Sequence, residues 1–191
     1  EWEIGVHIAD VSYYVPLNSA LDKEARKRGN STYLVGEVVP MLPQSLSNGI
    51  CSLVEGQDRL VKSVLFHFRN DGKMLNAKLA ECVINSNKRL TYEQAILFLR
   101  GNRLESIKEA KPPSSRYSGN PGKPIQEVSL EELKQINQTI QRLWSIASKL
   151  RTERMRAGSL NLESAEIKIL VDSKGEPEKI LSSENDESHQ L

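Results

Sequence analysis

The first ten residues alternate between apolar and polar positions, which is the period of a β-strand. The side chains of Trp2, Ile4, Val6 and Ile8 share one face, and Ala9 adds an apolar residue to the other. This pattern predicts a strand that is buried on one or both faces and paired at its edges. Because a domain seldom leaves such a strand uncovered at its terminus, we interpret the chain as a piece of a longer protein.

Three further segments have the composition of strands. The clearest is residues 59–86, where two apolar runs flank turn residues at 70–72 and predict a β-hairpin. Residues 31–43 are strand-like, and residues 159–180 alternate as two strands around a turn at 173–175. The apolar positions of the hairpin are Val61, Val64, Phe66, Phe68, Leu75, Leu79, Cys82 and Ile84.

Two helices are predicted to begin with capping boxes, in which a Ser or Thr cap is followed three residues later by Gln or Glu. Thr91 with Gln94 begins the first, and Ser129 with Glu132 begins the second, which is long and ends at Gly158. Shorter helices are expected over residues 21–28 and 44–53; in the latter, Leu46, Ile50 and Leu53 share one side. The long helix has one apolar face, formed by Leu133, Ile136, Ile140, Leu143, Ala147 and Leu150.

The remaining segments are polar. Residues 111–124 are rich in Pro, Gly and Ser and lack periodicity, which predicts a surface loop. Residues 182–191 are predicted to contain no capped element.

The mixture of helices and strands favours the α+β class, with a mixed, largely antiparallel sheet packed with helices.

Composition and charge exclude several classes of protein. The 191 residues are 38% hydrophobic and 27% charged, which is typical of a globular protein, and the net charge of +1 gives no general attraction for nucleic acid. Any contact with a polyanion must therefore come from a local patch. Cys51 and Cys82 lack a partner motif and are interpreted as buried thiols in a reducing compartment. No stretch approaches a membrane span, so a soluble, cytoplasmic protein is expected.

The familiar catalytic motifs are missing, because neither a glycine-rich phosphate loop nor a GxSxG sequence occurs. His7, His67 and His189 are scattered, and a structural role is favoured over metal binding. Asp10 stands alone in an apolar run. Two interpretations of Asp10 remain open, of which capping of the following turn is preferred to metal binding.

Basic residues gather in three places, and Tyr92 lies beside one of them. Lys88 and Arg89 precede the helix in whose first turn Tyr92 lies, so the ring could stack on a base while the cations and the helix N-terminus attract a phosphate. Alternatively, Tyr92 only packs against its neighbours, and spacing alone slightly favours that alternative. The other two clusters are Lys23, Arg26, Lys27 and Arg28, and Arg142, Lys149, Arg151, Arg154 and Arg156; each cluster by itself is usually a solvated helix face.

Five segments, in this order, resemble the ribonuclease II / ribonuclease R family, which includes the exosome exonuclease subunit. They are GVHIADVSYYV, LDKEARKRGNSTYL, VPMLPQSLSNGICSLVEGQDRL, VINSNKRLTYEQA and RMRAGSLNLESAEIKI. The resemblance extends over residues 1–191 and implies a partial RNB-type catalytic domain. It also implies hydrolysis of single-stranded RNA from the 3′ end to nucleoside 5′-monophosphates with Mg²⁺, and membership of a degradosome or exosome-like assembly.

The resemblance changes the interpretation of individual residues. Tyr92 matches a family tyrosine that stacks on a base near the 3′ end, so stacking becomes the favoured role, with Lys88 and Arg89 as RNA-binding neighbours. Leu162 stands where some relatives have a second stacking aromatic residue, so the resemblance does not imply a two-sided clamp in this chain.

The family's metal-binding aspartates, its later arginine motif and its flanking OB-type domains do not occur in this sequence. We therefore expect no catalytic or metal-binding residue in this chain, and no activity of the chain by itself. A catalytically inactive RNA-binding homologue and an unrelated interaction module built on the long helix remain alternatives.

Overall fold

The computed structural model confirms the α+β class and an antiparallel sheet. It describes residues 1–35, 37–109, 122–160, 166–172, 176–183 and 186–190. Strands β1 (Trp2–Ala9), β4 (Asp58–Phe68) and β5 (Met74–Asn85) form a three-stranded antiparallel sheet in the order β1-β4-β5. The other elements are α1 (Val11–Tyr14), α2 (Ala20–Arg28), β2 (Thr32–Leu34), β3 (Glu37–Val39), a wide π-helical turn (Ser45–Ile50), α3 (Tyr92–Leu99), α4 (Leu104–Lys108), a 3-10 turn (Ile125–Glu127), α5 (Leu130–Arg156), β6 (Glu166–Val171), β7 (Pro177–Ser183) and a C-terminal 3-10 turn (Glu187–His189).

The predicted hairpin of residues 59–86 is confirmed by the pairing of β4 with β5. The turn between the strands requires Gly72, whose φ of 93° lies in the left-handed region that a side chain disfavours. A bulge between His67 and Phe68 shifts the register near that turn.

The prediction that β1 is buried is wrong for its second half. In the described sheet β1 is an edge strand, and the side chains of Val6 and Ile8 are 49% and 68% exposed. On the same face, Trp2 and Ile4 are half-buried and share a cavity of about 200 Å³ with side chains of α5, and on the opposite face His7 and Ala9 are half-buried. The exposed apolar face continues across the sheet, since Val6 pairs with Val64 and Val64 pairs with Leu79.

Two other predictions are corrected in detail. The strand-like segment 31–43 is a hairpin of two short strands, β2 and β3, and not one strand. The helix expected over residues 44–53 is the π-helical turn, and its backbone leaves helical geometry at Gly49. Because of that distortion Ile50 does not face the interior; it is 44% exposed.

The hydrophobic core lies between α3, α4 and α5. Its buried members are Phe98, Ile107, Ile125, Val128, Leu133 and Ile140. The sequence did not predict α4 or the turn at Ile125–Glu127, although both supply core residues. On α5, Leu133 and Ile140 are buried as predicted, whereas Leu150 is 38% exposed and Ile146 is buried instead. The core holds the C-terminal half of α3, so the N-terminus of that helix lies at the surface.

The end of the chain contains an element that the sequence was predicted to lack. Asp186 caps the C-terminal 3-10 turn, because its side chain accepts a hydrogen bond from the Ser188 backbone at 2.9 Å. The two predicted strands between 159 and 180 are confirmed as the β6–β7 hairpin. Most of the predicted 111–124 loop, the turn at 173–175 and Leu162 lie outside the described residues.

Candidate nucleic-acid interface

The N-terminus of α3 presents Tyr92 to solvent. The predicted capping box is confirmed: Thr91 Oγ1 accepts from the Gln94 backbone at 3.1 Å, and Gln94 Oε1 accepts from the Thr91 backbone at 3.0 Å. This cap makes Tyr92 the first residue of the helix. Tyr92 is 57% exposed in the described chain.

One face of the Tyr92 ring is covered by an imidazole. The rings of Tyr92 and His189 stack with centroids 4.0 Å apart and an angle of 16° between their planes. The C-terminal 3-10 turn that carries His189 lies against α3, and Glu187 of the same turn is 3.8 Å from Arg100 at the end of α3. Residues from the middle of the sequence and from its C-terminal end therefore meet at this site.

Lys88 is engaged in a buried ion pair. Its Nζ lies 2.8 Å from Glu55 Oε2, and the two side chains are only 9% and 10% exposed. Lys88 also donates to the backbone carbonyl of Lys123. The charge of Lys88 is already compensated, so the structure does not place this residue as a ready phosphate ligand.

Glu55 joins three segments of the chain. Besides Lys88, its carboxylate accepts from the backbone N–H groups of Arg89 at 2.9 Å and Lys123 at 3.0 Å. Burial raises the pKa of Glu55, but the hydrogen bonds from Arg89, Lys88 and Lys123 outweigh that effect and leave the pKa below its usual value. Glu55 was not predicted as a site residue, because in the sequence it is only a carboxylate between an apolar residue and the turn at Gly56.

The predicted RNA-binding residues therefore divide into two kinds. Tyr92 and Arg89 are both exposed, and the backbone of Arg89 is held by Glu55 directly before the capped helix. Lys88 lies on the inner side of the same segment. Arg89 and Tyr92 are thus three residues apart at the N-terminal, positive end of α3, and an aromatic residue and a cation at such a position suit a nucleotide.

The other two basic clusters make mainly local contacts. On α2, Arg26 pairs with Asp22 at 3.1 Å and Arg28 with Glu24 at 3.0 Å. Lys149 of α5 donates to the carbonyl of Asn70 at 2.9 Å. These contacts agree with the interpretation of the clusters as solvated helix faces.

Asp10 caps a turn, as preferred from the sequence. Its carboxylate accepts from the Tyr13 backbone at 3.2 Å and from Ser12 Oγ, and it lies 3.2 Å from Lys62 Nζ. The hydrogen bond from Ser12 is the largest of the effects that lower the pKa of Asp10. Within the described ranges no group of three or more His, Cys, Asp or Glu side chains could hold a metal ion, so these residues do not fit a Mg²⁺ site.

The remaining candidate groups have structural partners. His7 Nδ1 lies 2.8 Å from Ser63 Oγ, and His67 Nε2 lies 2.7 Å from Glu3, as the structural interpretation requires. Cys51 and Cys82 are free thiols and are half-buried, not fully buried as predicted. Burial raises the pKa of Cys51. In the part of the chain that the structure describes, every helix is too short or too polar to cross a membrane.

Comparison with known proteins agrees with the resemblance noted in the sequence. The family described as the RNB domain matches residues 1–191. Ribonuclease R of Thermotoga maritima is 41% identical over 174 residues, which are 91% of this chain and 21% of that protein. The chain thus spans about a fifth of the length of such relatives.

Solved structures show the same fold. Mycoplasma genitalium RNase R in complex with double-stranded RNA superimposes with a TM-score of 0.78 and 30% identity, covering 98% of this chain and 29% of that one. The same enzyme with ribose-methylated single-stranded RNA gives 0.77 and 28%, covering 98% and 26%. Yeast Ssd1, a pseudonuclease, shares the fold at a TM-score of 0.55 and 21% identity, covering 81% and 15%. This chain belongs to the RNB-domain family.

Proposed function

We propose that this chain is part of a 3′-to-5′ exoribonuclease that hydrolyses single-stranded RNA to nucleoside 5′-monophosphates. Support comes from the ribonuclease R relatives and from the RNase R structures that hold RNA. The observation that carries the proposal is the exposed Tyr92 ring at the capped start of α3, next to the exposed Arg89. The described residues would then form part of the wall of an RNA channel.

The site binds RNA by two separable interactions. The Tyr92 ring stacks on a base near the 3′ end, and such stacking tolerates any base because each has a π-face. Arg89 and the N-terminus of α3 attract the neighbouring phosphates. Lys88 acts indirectly, because its ammonium group holds Glu55 and Glu55 holds the backbone of Arg89.

Hydrolysis itself needs groups that the described residues do not assemble. When bound, Mg²⁺ would activate water and stabilise the leaving oxygen, and we propose that carboxylates elsewhere in a longer protein hold it. Asp10 is not one of them, because Ser12, Tyr13 and Lys62 already engage its oxygens. A cytoplasmic location and a degradosome or exosome-like assembly stay predictions.

The activity is tested on the full-length protein with a 5′-labelled single-stranded RNA and Mg²⁺. We expect nucleoside 5′-monophosphates to be released while the labelled strand shortens from its 3′ end, and chelation of the metal should stop the release. Tight RNA binding without any release would instead support the alternative of a catalytically inactive RNA-binding homologue. Neither binding nor release would contradict both functions.

Replacing Tyr92 with Ala in the full-length protein is expected to weaken binding of the RNA 3′ end by about 1–3 kcal/mol, the usual worth of one base–aromatic stack. The length of the final product should also change, because the last nucleotides lose a contact. Affinity is measured by fluorescence anisotropy, and product length on a sequencing gel. Leu130→Ala is the surface control, since Leu130 is 45% exposed at the start of α5 and lies outside the five segments that resemble the family.

Arg89→Gln distinguishes the ionic contact from the stack. It should reduce the slope of log affinity against log salt concentration by about one, the effect of losing one phosphate contact, and it should weaken binding evenly across RNA sequences.

The Tyr92→Ala variant has its own contradicting outcome. Unchanged affinity and unchanged product lengths in that variant would remove the stacking role.

A further inference from the structure

The outer edge of β1 presents a row of backbone hydrogen-bonding groups. In the described residues β1 pairs with β4 on one side, and no strand lies on its other side. Directly after the strand, Asp10 donates its backbone N–H to the Leu60 carbonyl at 2.9 Å, in the same register as the even-numbered residues of β1. In an antiparallel pair the residues between such bonded positions point their N–H and C=O groups away from the partner. The outward-facing residues are therefore Glu3, Gly5, His7 and Ala9.

This edge lacks the features that commonly prevent a further strand from adding. Such features include proline, lysine, bulges and very short strands. β1 has eight residues, contains neither proline nor lysine, and keeps one continuous register with β4. The His7 ring does not cover the edge, because its Nδ1 lies 2.8 Å from Ser63 Oγ and its Nε2 lies 2.5 Å from where a Cβ on Gly5 would be. The ring thus folds back over its own strand.

One face of the sheet beside this edge is apolar and exposed. Val6 and Ile8 share that face with Leu79 and Val83 of β5, which are 80% and 61% exposed. The register places Val6, Val64 and Leu79 in one row across the three strands. A contiguous apolar patch of this kind usually marks an interaction surface.

The charges on this face do not favour a nucleic acid as the occupant. Among the strand residues of the described sheet, the cation on this face is Lys62, which pairs with Val64's neighbouring row. Its ammonium group lies 3.2 Å from Asp10 and also contacts Glu81. Because both partners are carboxylates, the charge of Lys62 is already compensated, and a polyanion would gain little here. Unpaired backbone groups next to aliphatic side chains instead suit an extended peptide segment.

We propose that the outer edge of β1 binds a further β-strand, which is contributed by a part of the full-length protein outside residues 1–191. Alternate side chains of that strand are aliphatic and extend the apolar face beside Val6 and Ile8. This chain covers 21% of the ribonuclease R of Thermotoga maritima, so a protein of that length has ample sequence to supply the strand. A segment linked to the sheet has an effective concentration of about millimolar, which favours it over a second copy. The inference does not rest on the proposed function.

Hydrogen exchange of the full-length protein, resolved to single amides by mass spectrometry, tests whether the edge is paired. The amides of Ile4, Val6 and Ile8 bond β4 and serve as the internal control. If the edge is paired, the amides of Gly5 and His7 should exchange at least about 100-fold more slowly than in an unfolded chain, as expected for a strand inside a sheet. Exchange of these two amides at the unfolded rate, with the control amides protected, would overturn the inference.

Photo-cross-linking identifies the occupant. We expect p-benzoylphenylalanine, incorporated in turn at positions 6 and 8 of the full-length protein, to cross-link within one molecule to a segment outside residues 1–191. Cross-links only between two copies, or only to residues within 1–191, would contradict the proposed source of the strand. No cross-link from either position would contradict a strand beside them. Neither readout involves RNA, so a failure here leaves the proposed function standing.

Discussion

Replacing Phe98 with Ala is expected to lower the free energy of unfolding by about 3–5 kcal/mol, the usual cost of removing a buried phenylalanine side chain. Phe98 is fully buried at the centre of the core between α3, α4 and α5. Its backbone carbonyl also accepts a hydrogen bond from Gln141 of α5 at 2.6 Å. The cavity left by the ring would lie where α3 is attached to α5, so we expect RNA affinity to fall together with stability.

Urea denaturation of the full-length protein, followed by circular dichroism, measures the stability change. Phe98→Leu keeps most of the apolar volume and should cost less than about 1.5 kcal/mol. Leu130→Ala is the surface control, because Leu130 is 45% exposed at the start of α5. A loss in Phe98→Ala no larger than that in Leu130→Ala would contradict the assignment of this core.

The second large effect is expected at Glu55. Glu55→Ala leaves the Lys88 ammonium without its partner at a site where both side chains are at most 10% exposed. Breaking a buried ion pair in this way costs about 3 kcal/mol or more, and it also leaves the backbone N–H groups of Arg89 and Lys123 without their acceptor. RNA affinity should fall too, because the segment before Tyr92 loses its anchor.

Three comparisons isolate the cause of that loss. Adding Lys88→Met to Glu55→Ala should recover part of the stability, since the unpaired charge is then removed. Glu81→Ala is the control for an exposed ion pair, because Glu81 pairs with Lys62 but its side chain is 78% exposed; little change is expected. Equal losses in Glu55→Ala and Glu81→Ala would rule out the buried ion pair as the cause.

The pH dependence gives an independent check on Glu55. The pKa of Glu55 is lower in the folded protein than in the unfolded chain, where a glutamate has a pKa of about 4.3. The unfolded state therefore binds the proton first, and the stabilisation by Glu55 is present above about pH 4.3 and lost as the pH falls through the folded pKa. Glu55→Gln should have a flatter stability curve over that acidic range.

Features that depend on neighbouring residues were predictable from the sequence. Both capping boxes form as expected, because a Thr or Ser and a Gln or Glu three residues later need only each other. The β4–β5 hairpin could be predicted for the same reason, since its turn lies directly between its two strands. The resemblance to the RNB family, carried by short segments of the chain, was confirmed over all 191 residues.

Features that depend on distant partners were not predictable in the same way. Nothing near Lys88 in the sequence indicates that Glu55 neutralises it, and the polar composition around His189 gives no sign that its ring lies on Tyr92. The exposure of Val6 is a third case: strand alternation identifies which residues share a face, but it does not show whether another element covers that face.

The hydrogen bonds of Glu55 also limit how this site can change during evolution. An ion pair between two side chains can in principle be inverted, with the acid and the base exchanging places. Here that exchange is blocked, because two of the three donors to Glu55 are backbone amides, which no substitution can turn into acceptors. Position 88 therefore has to supply a hydrogen-bond donor, whereas position 55 has to supply an acceptor that reaches two backbone amides as well.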